Sequence, residues 1–248
     1  KHWLKEVRDY HVRFYHVSNY HYGNPQKTRQ RLMVIGSRNG FRFTPQELFP
    51  GTTVRDCIED LDENWGCVPN HTKHSRNAED GITNLGKSQK WKDIAKYIHK
   101  NVPLGKNLPY RAKDGTIKTR IGSNVMYWDK HAHALAGVKG AKFHPHTGYP
   151  ISIRERCRIQ GYPDDFVIQG ERIEPDGTWA LGRNAYPVRQ LNNTIPLQFC
   201  EEFARQLTYF LDHGKNQELV EEIGLKPNPL IEEANAVAEK LRAKGKIA

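Results

Sequence analysis

The spacing of apolar and polar positions changes along this chain, and each change predicts an element. From Tyr10 to Val17 the stretch YHVRFYHV alternates, with Tyr10, Val12 and Phe14 on one face, and predicts a half-buried β-strand. RLMVIG (Arg31 to Gly36) is a continuous apolar run of the kind found in strands covered on both faces. Together they predict two neighbouring strands of one sheet. Between residues 40 and 149 the segments are short and broken by Gly, Pro, Asn and His. Only SQKWKDIAKYIHKNV keeps helical spacing there, through Trp91, Ile94, Ile98 and Val102.

Regularity returns at Pro145. In ISIRERCRIQGYPDDF, Ser152 stands three residues before Glu155, the spacing of a capping box, and Gly161 and Pro163 follow as stop signals, so a short helix is expected. IPLQFCEEFARQLTYFLDHG predicts a longer helix with Ile195, Phe199, Phe203, Leu207 and Phe210 on one stripe and Gly214 as its stop. The tail beyond Gly214 predicts a last helix from Asn228 to about Lys244. No internal repeat is present.

Charge sharpens this picture. The chain of 248 residues is 37% hydrophobic and 10% aromatic, enough for a real core, and carries a net charge of +10. Lys87 to Lys142 holds thirteen bases against three acids (Asp93, Asp114, Asp129), so the whole excess lies in the irregular middle. A polyanionic partner is the natural inference, because bases that neutralise phosphates release condensed counterions. Loops held on a scaffold commonly carry recognition. No apolar run approaches a membrane span, and the first residues lack a signal-peptide core, so a soluble, cytoplasmic or nucleoid-associated protein is expected (nuclear in a eukaryote).

The four cysteines, Cys57, Cys67, Cys157 and Cys200, form no CxxC and point to reduced thiols. Cys57, Cys67, His71 and His74 match no common zinc spacing, and HAH with HPH is a weak case for a metal-dependent nuclease; no metal is expected. A DNA-binding module without catalysis is the other alternative.

Three stretches carry a resemblance. YGNPQKTRQRLMVIG, HPHTGYPISIRERCRIQGYPDDF and RQLNNTIPLQFCEEFARQL resemble, in order and spacing, the last three conserved blocks of the C5 cytosine DNA methyltransferases. The matching parts cover roughly residues 10–36 and 143–207, and the basic middle falls where that family keeps its variable target-recognition region. The resemblance implies a mixed α/β fold: the end of a Rossmann-like methyltransferase sheet (residues 1–39), a small, largely irregular target-recognition domain (40–184), a helix returning to the catalytic domain (185–214) and a helical tail (215–248).

The same resemblance assigns roles. Arg29 and Arg31 fall on the arginines that meet the extruded cytosine in the active cleft. Asn193 and Thr194 fall close to S-adenosylmethionine, or else simply cap the following helix. Arg154 and Arg158 are expected in internal salt bridges and phosphate contacts, and Lys113, Lys118, Arg120, Lys139 and Lys142 at the DNA. The partner implied is double-stranded DNA. Two departures stand out: Lys27 and Thr28 separate Gln26 from Arg29 where the family spaces its glutamine two residues before the arginine, and Asn192 stands where it prefers glycine.

The family's chemistry also needs a cysteine thiolate that attacks C6 of the base, a glutamate near N3 and a glycine-rich cofactor loop. In this chain no cysteine follows a proline, and there is neither an FxGxG stretch nor a Glu-Asn-Val triplet. The sequence therefore predicts a chain inactive alone, either a subunit of a split enzyme or the carboxy-terminal part of a longer one. Its unpaired strands and apolar stripe predict association unless an amino-terminal methyltransferase region covers them.

Overall fold

A computed structural model describes residues 10–38, 43–46, 51–61, 64–71, 77–78, 89–112, 114–135, 142–168, 186–213 and 243. The chain divides into two compact units. The first comprises Lys1–Gly23, Lys27–Gly51 and Gln198–Ala248; the second comprises Asn24–Gln26 and Thr52–Leu197. The expected helix at 228–244 and the stop at Gly214 lie outside the described residues, apart from Ala243.

In the first unit, strand β1 (His11–Ser18) pairs antiparallel with β2 (Gln30–Ser37), from His11 opposite Ser37 to Ser18 opposite Gln30. Because side chains alternate across a strand, this register sorts Tyr15, Val17, Met33 and Ile35 onto one face. There they pack against Phe199 and Phe203 of a long helix. Phe43 meets Phe203 and Phe210 of that helix edge-on, at 5.5 Å each. Gln206, fully buried, clamps Gln46 in both directions: its Oε1 accepts from the Gln46 N–H at 2.8 Å and its Nε2 donates to the Gln46 carbonyl at 2.8 Å.

Two expectations are corrected here. The buried face of β1 is that of Tyr15 and Val17, whereas Val12 and Phe14 are only half-buried, because the helix covers the opposite side of the sheet. The run at β2 is covered on one face only: Leu32 is 64% and Val34 53% exposed.

In the second unit, α1 (Val54–Ile58) starts at Thr53, whose side chain exchanges a capping box with Asp56. A two-residue ladder, β3 (Asn77–Ala78) with β4 (Gln89–Lys90), leads into α2 (Trp91–Asn101). Three strands follow: β5 (Asn107–Arg111), antiparallel to β6 (Ile117–Val125), and β7 (Lys142–Phe143), parallel to β6. The basic middle is thus less irregular than expected. Short strands interrupted by Gly and Pro leave little periodicity to read.

The helix expected over Trp91 to Val102 is present, and Ile94, Ile98 and Val102 point into a core with Leu108, Val125, Phe143 and Tyr149. This core admits the backbone of Gly148 against α2: a Cβ there would sit 2.2 Å from the Ala95 carbonyl oxygen, and the residue holds φ +67°. Gly148→Ala is therefore expected to destabilise the second unit by about 3 kcal/mol, since both overpacking and a strained φ oppose it. Urea unfolding followed by tryptophan fluorescence checks this; a cost below about 1 kcal/mol would show that the turn can move aside.

Helix α3 (Ile153–Ile159) has the expected capping box: the Ser152 side chain accepts from the Glu155 N–H at 3.1 Å and the Ser152 N–H donates to Glu155 Oε2 at 2.5 Å. Gly161 follows at φ +85°. The single returning helix expected over 185–214 is two helices, α4 (Tyr186–Asn193) in the second unit and α5 (Leu197–His213) in the first. Pro196, which cannot donate an N–H to a continuing helix, stands at the break. Ile195 consequently leaves the apolar stripe and is 43% exposed. No helix among the described residues is long and apolar enough to cross a membrane.

Candidate functional site

Arg29 and Arg31 enter β2 two positions apart. Arg29 is 4% exposed, and its carbonyl accepts from the Asn19 N–H at 3.2 Å, which ties it to the short helical turn after β1. Burial, reinforced by the Arg31 guanidinium, lowers its pKa to about 10. Arg31 is half-buried, and among the described residues its side chain makes one hydrogen bond, from Nη1 to the Gln30 carbonyl at 3.1 Å. Arg31 in β2 and Arg29 just before it thus bring two guanidiniums close enough to repel, an arrangement favoured by a ligand bearing a carbonyl or an anionic group.

Of the residues between β1 and β2, Asn24–Gln26 belong to the second unit. Gln26 is fully buried: its Nε2 donates to Gln160 Oε1 at 3.1 Å and to Asn24 Oδ1 at 3.2 Å, and its Oε1 accepts from the Leu135 N–H at 2.9 Å. Asn24 Nδ2 donates to the Ile159 carbonyl at 2.8 Å, and Gln160 Nε2 to the Leu191 carbonyl at 2.8 Å. This amide network joins the hairpin connection to the ends of α3 and α4. Sequence reasoning passed over Gln26 in favour of the arginines, although a glutamine beside Pro25 was the available signal.

Arg154 and Arg158 divide the work of α3. Arg154 is wholly buried and donates to three carbonyls: Nε to Pro69 at 2.9 Å, Nη1 to Pro163 at 2.7 Å and Nη2 to Phe166 at 2.6 Å. Arg158 makes two parallel hydrogen bonds to Asp164, at 2.8 and 2.5 Å, and also pairs with Asp60. These carboxylates raise the pKa of its guanidinium, and the Asp164 carboxyl is held below its ordinary value mainly by the bond to Arg158. Both arginines organise loops. The expected phosphate contact is corrected for Arg154, because every arm of its guanidinium is already committed inside the unit.

Lys142 requires the same correction. It is 3% exposed, with Nζ donating to the Gly122 carbonyl at 3.1 Å and to Asn124 Oδ1 at 2.5 Å. Burial, then the nearby Arg156, pushes its pKa down to about 8. Lys118 is exposed and pairs with Asp114 at 3.2 Å. Arg120 is a residue of β6, while Lys113 and Lys139 lie outside the described residues.

Histidines cluster in this unit. His71 stacks on Trp65 at 4.6 Å, and its Nδ1 lies 2.9 Å from Ser152 Oγ. Burial, with His146 and His71 adding to it, holds His144 down at about 3, so its imidazole is neutral beside Glu155, 3.7 Å away. No group of metal-ligating side chains is found among the described residues.

Asn193 and Thr194 close α4 instead of opening α5. The Thr194 hydroxyl donates to the Leu191 carbonyl at 2.8 Å, and its N–H reaches back to Gln190 at 3.1 Å. The capping alternative is corrected accordingly: α5 begins only at Leu197. The Thr194 hydroxyl is thus committed as a donor, and Asn193 is exposed.

A profile of the C-5 cytosine-specific DNA methylases matches residues 2–207. The chain belongs to this family. The chain is 24% identical over 214 residues to the type II methyltransferase M.MthTI of Methanothermobacter thermautotrophicus, covering 80% of the chain and 56% of that relative. It is 21% identical over 202 residues to the type II methyltransferase M.Eco47II of Escherichia coli, covering 77% and 44%. Its fold is similar to that of a solved Escherichia coli protein described as a prophage-encoded DNA modification methyltransferase, with a TM-score of 0.50, 16% identity, and 83% and 62% of the two chains covered. The chain spans about half the length of the curated relatives it matches. The mixed α/β class expected for a Rossmann-like methyltransferase agrees with this neighbour.

Proposed function

We propose that this chain supplies target recognition and the cytosine-holding arginines of a DNA (cytosine-5)-methyltransferase that flips its base out of duplex DNA. An amino-terminal methyltransferase region, joined to it or separate, supplies the nucleophilic cysteine. The observation that carries the reading is the pair Arg29 and Arg31, one buried and one half-buried, at the entry of β2. A carbonyl of an unstacked cytosine is a fitting acceptor for such fixed donors.

Three of the chain's four cysteines support the division of labour; the fourth, Cys67, is exposed. A nucleophilic thiol needs a lowered pKa, but burial pushes Cys57 and Cys200 up, and Cys157 is fully enclosed. The open Leu32 and Val34 face of β2 supports the need for further polypeptide, because apolar sheet faces are normally covered. S-adenosylmethionine would supply the methyl group, at a site shared between the amino-terminal region and Asn193 and Thr194 of this chain.

The test is transfer of tritiated methyl groups to duplex DNA by the chain with and without a methylase amino-terminal half. Label is expected only from the combination. Incorporation by the chain alone would refute the division of labour, and DNA binding with no incorporation by the combination would favour a non-catalytic module.

A further inference from the structure

The ribbon formed by β5 and β6 gives Leu108 and Val125 to the core at its base, while Ile117 and Ile121 stay out of it. Its tip is fastened from within: the Ala112 N–H donates to the Thr116 carbonyl at 2.8 Å, and Asp114 Oδ1 accepts from the Thr116 N–H at 3.0 Å and its hydroxyl at 2.6 Å. Gly115 turns the chain at φ +82° with nothing within 4 Å of a would-be Cβ. Asp114 to Thr119 are accordingly exposed.

Two isoleucines are displayed on it. Ile117 is 64% exposed and Ile121 is 87%, the highest value among the exposed large hydrophobic side chains described. The display of Ile121 follows from a register shift. Pro109 faces Thr119 and Asn107 faces Asn124, so two steps along β5 oppose five along β6. The excess bulges at Gly122, which holds φ +85°. Lys142 reaches from the neighbouring strand β7 to the Gly122 carbonyl and to Asn124, so a buried ammonium steadies the bulge.

The surroundings select the partner. Lys106 to Ile121 contains five bases (Lys106, Arg111, Lys113, Lys118 and Arg120) against Asp114 alone. An apolar protein surface gains nothing from such charge, whereas a duplex does. The fit to the duplex is also dimensional. A major groove about 12 Å wide admits a two-stranded ribbon, and a minor groove about 6 Å wide does not. At about 3.3 Å per residue, Ile117 and Ile121 lie on the order of 13 Å apart along the strand. That spans about four base-pair steps at about 3.4 Å each. The apolar feature offered in that groove is the methyl group of thymine.

We infer that the β5–β6 ribbon enters the major groove of the target duplex, where Ile117 and Ile121 contact thymine methyl groups and contribute sequence preference while Lys118 contacts phosphate. This rests on the DNA-recognition role proposed above and names the element that performs it.

The experiment starts from the full chain and a library of randomised 30-base-pair duplexes, from which the bound sequences are enriched and compared with a scrambled duplex by fluorescence anisotropy. Ile117→Ser with Ile121→Ser is expected to reduce the preference for the enriched duplex about tenfold and leave scrambled-duplex affinity unchanged. Both side chains are exposed, so the thermal melt should not move. Thymine-to-uracil replacement in the enriched duplex should weaken the unaltered chain and leave the double variant indifferent. Lys118→Gln should weaken both duplexes equally and lower the salt slope by about one. A sequence preference that survives the two isoleucine changes overturns the ribbon while leaving the proposed function standing. Failure of the unaltered chain, with the amino-terminal half present, to bind any duplex overturns both. A dimer of the chain that dissolves on the same substitutions would also overturn the inference, by assigning the isoleucines to a second copy.

Discussion

Arg31→Ala is expected to lower methyl transfer by the reconstituted methylase about 10²- to 10³-fold, which is the usual cost of removing one preorganised donor from a reacting centre. Arg31 is half-buried and hydrogen-bonds only the Gln30 carbonyl among the described residues, so its loss should cost activity without unfolding the hairpin. Arg29 differs. At 4% exposure, with its pKa lowered to about 10 by burial and by Arg31, it is both a donor and a packed side chain. Arg29→Ala should therefore lower activity and stability together. Lysine at position 31 should restore little, because a single ammonium does not reproduce the planar fork of a guanidinium. Single-turnover transfer to saturating DNA makes the measurement; a loss smaller than about threefold for Arg31→Ala would remove it from the reaction.

The second large effect separates neighbours on α3 by sign. Arg154→Met should destabilise the second unit by about 3–5 kcal/mol, because it removes three charge-assisted hydrogen bonds by which one buried guanidinium fastens the carbonyls of Pro69, Pro163 and Phe166. Arg156 is just as buried, at 1% exposure, but among the described residues its Nε and Nη1 have no hydrogen-bond partner. Burial lowers its pKa to about 10, with Glu155 opposing the shift. Replacing such a charge with an apolar side chain of similar volume is often neutral or stabilising by about 1–4 kcal/mol, so Arg156→Met should unfold at equal or higher urea concentration than the unaltered chain. If Arg156→Met costs as much as Arg154→Met, the guanidinium has a structural duty that its surroundings do not show.

These two arginines also mark where sequence reading stopped. Both sit in RERCRI, and nothing in the spacing distinguishes a guanidinium held by three carbonyls from one whose Nε and Nη1 find no partner among the described residues, because the partners of Arg154 lie up to 85 residues away. Lys142 was indistinguishable from Lys118 for the same reason: one is interior and the other surface, and charge counting treats them alike. Where the interaction is local, reading succeeded. The Ser152–Glu155 box spans three residues and formed as expected. The helix over Trp91–Asn101 followed from its own apolar stripe. The β1–β2 pairing was legible from two adjacent strand patterns, but which face would be covered was not, since that depends on a helix more than 160 residues further along.

Sequence alone determined the strands that hold Arg29 and Arg31, the caps and stops of α3, the concentration of positive charge in the middle of the chain, and the ordered blocks that led to the family. Each depends on residues close together in the chain or on composition, which backbone sterics and counting suffice to interpret. Tertiary structure decided the break between α4 and α5, the open face of β2, the burial of Lys142 and the outward bulge at Ile121. Those are settled by which distant side chain reaches a given surface first and whether water remains there, and dense packing, not local propensity, makes that choice.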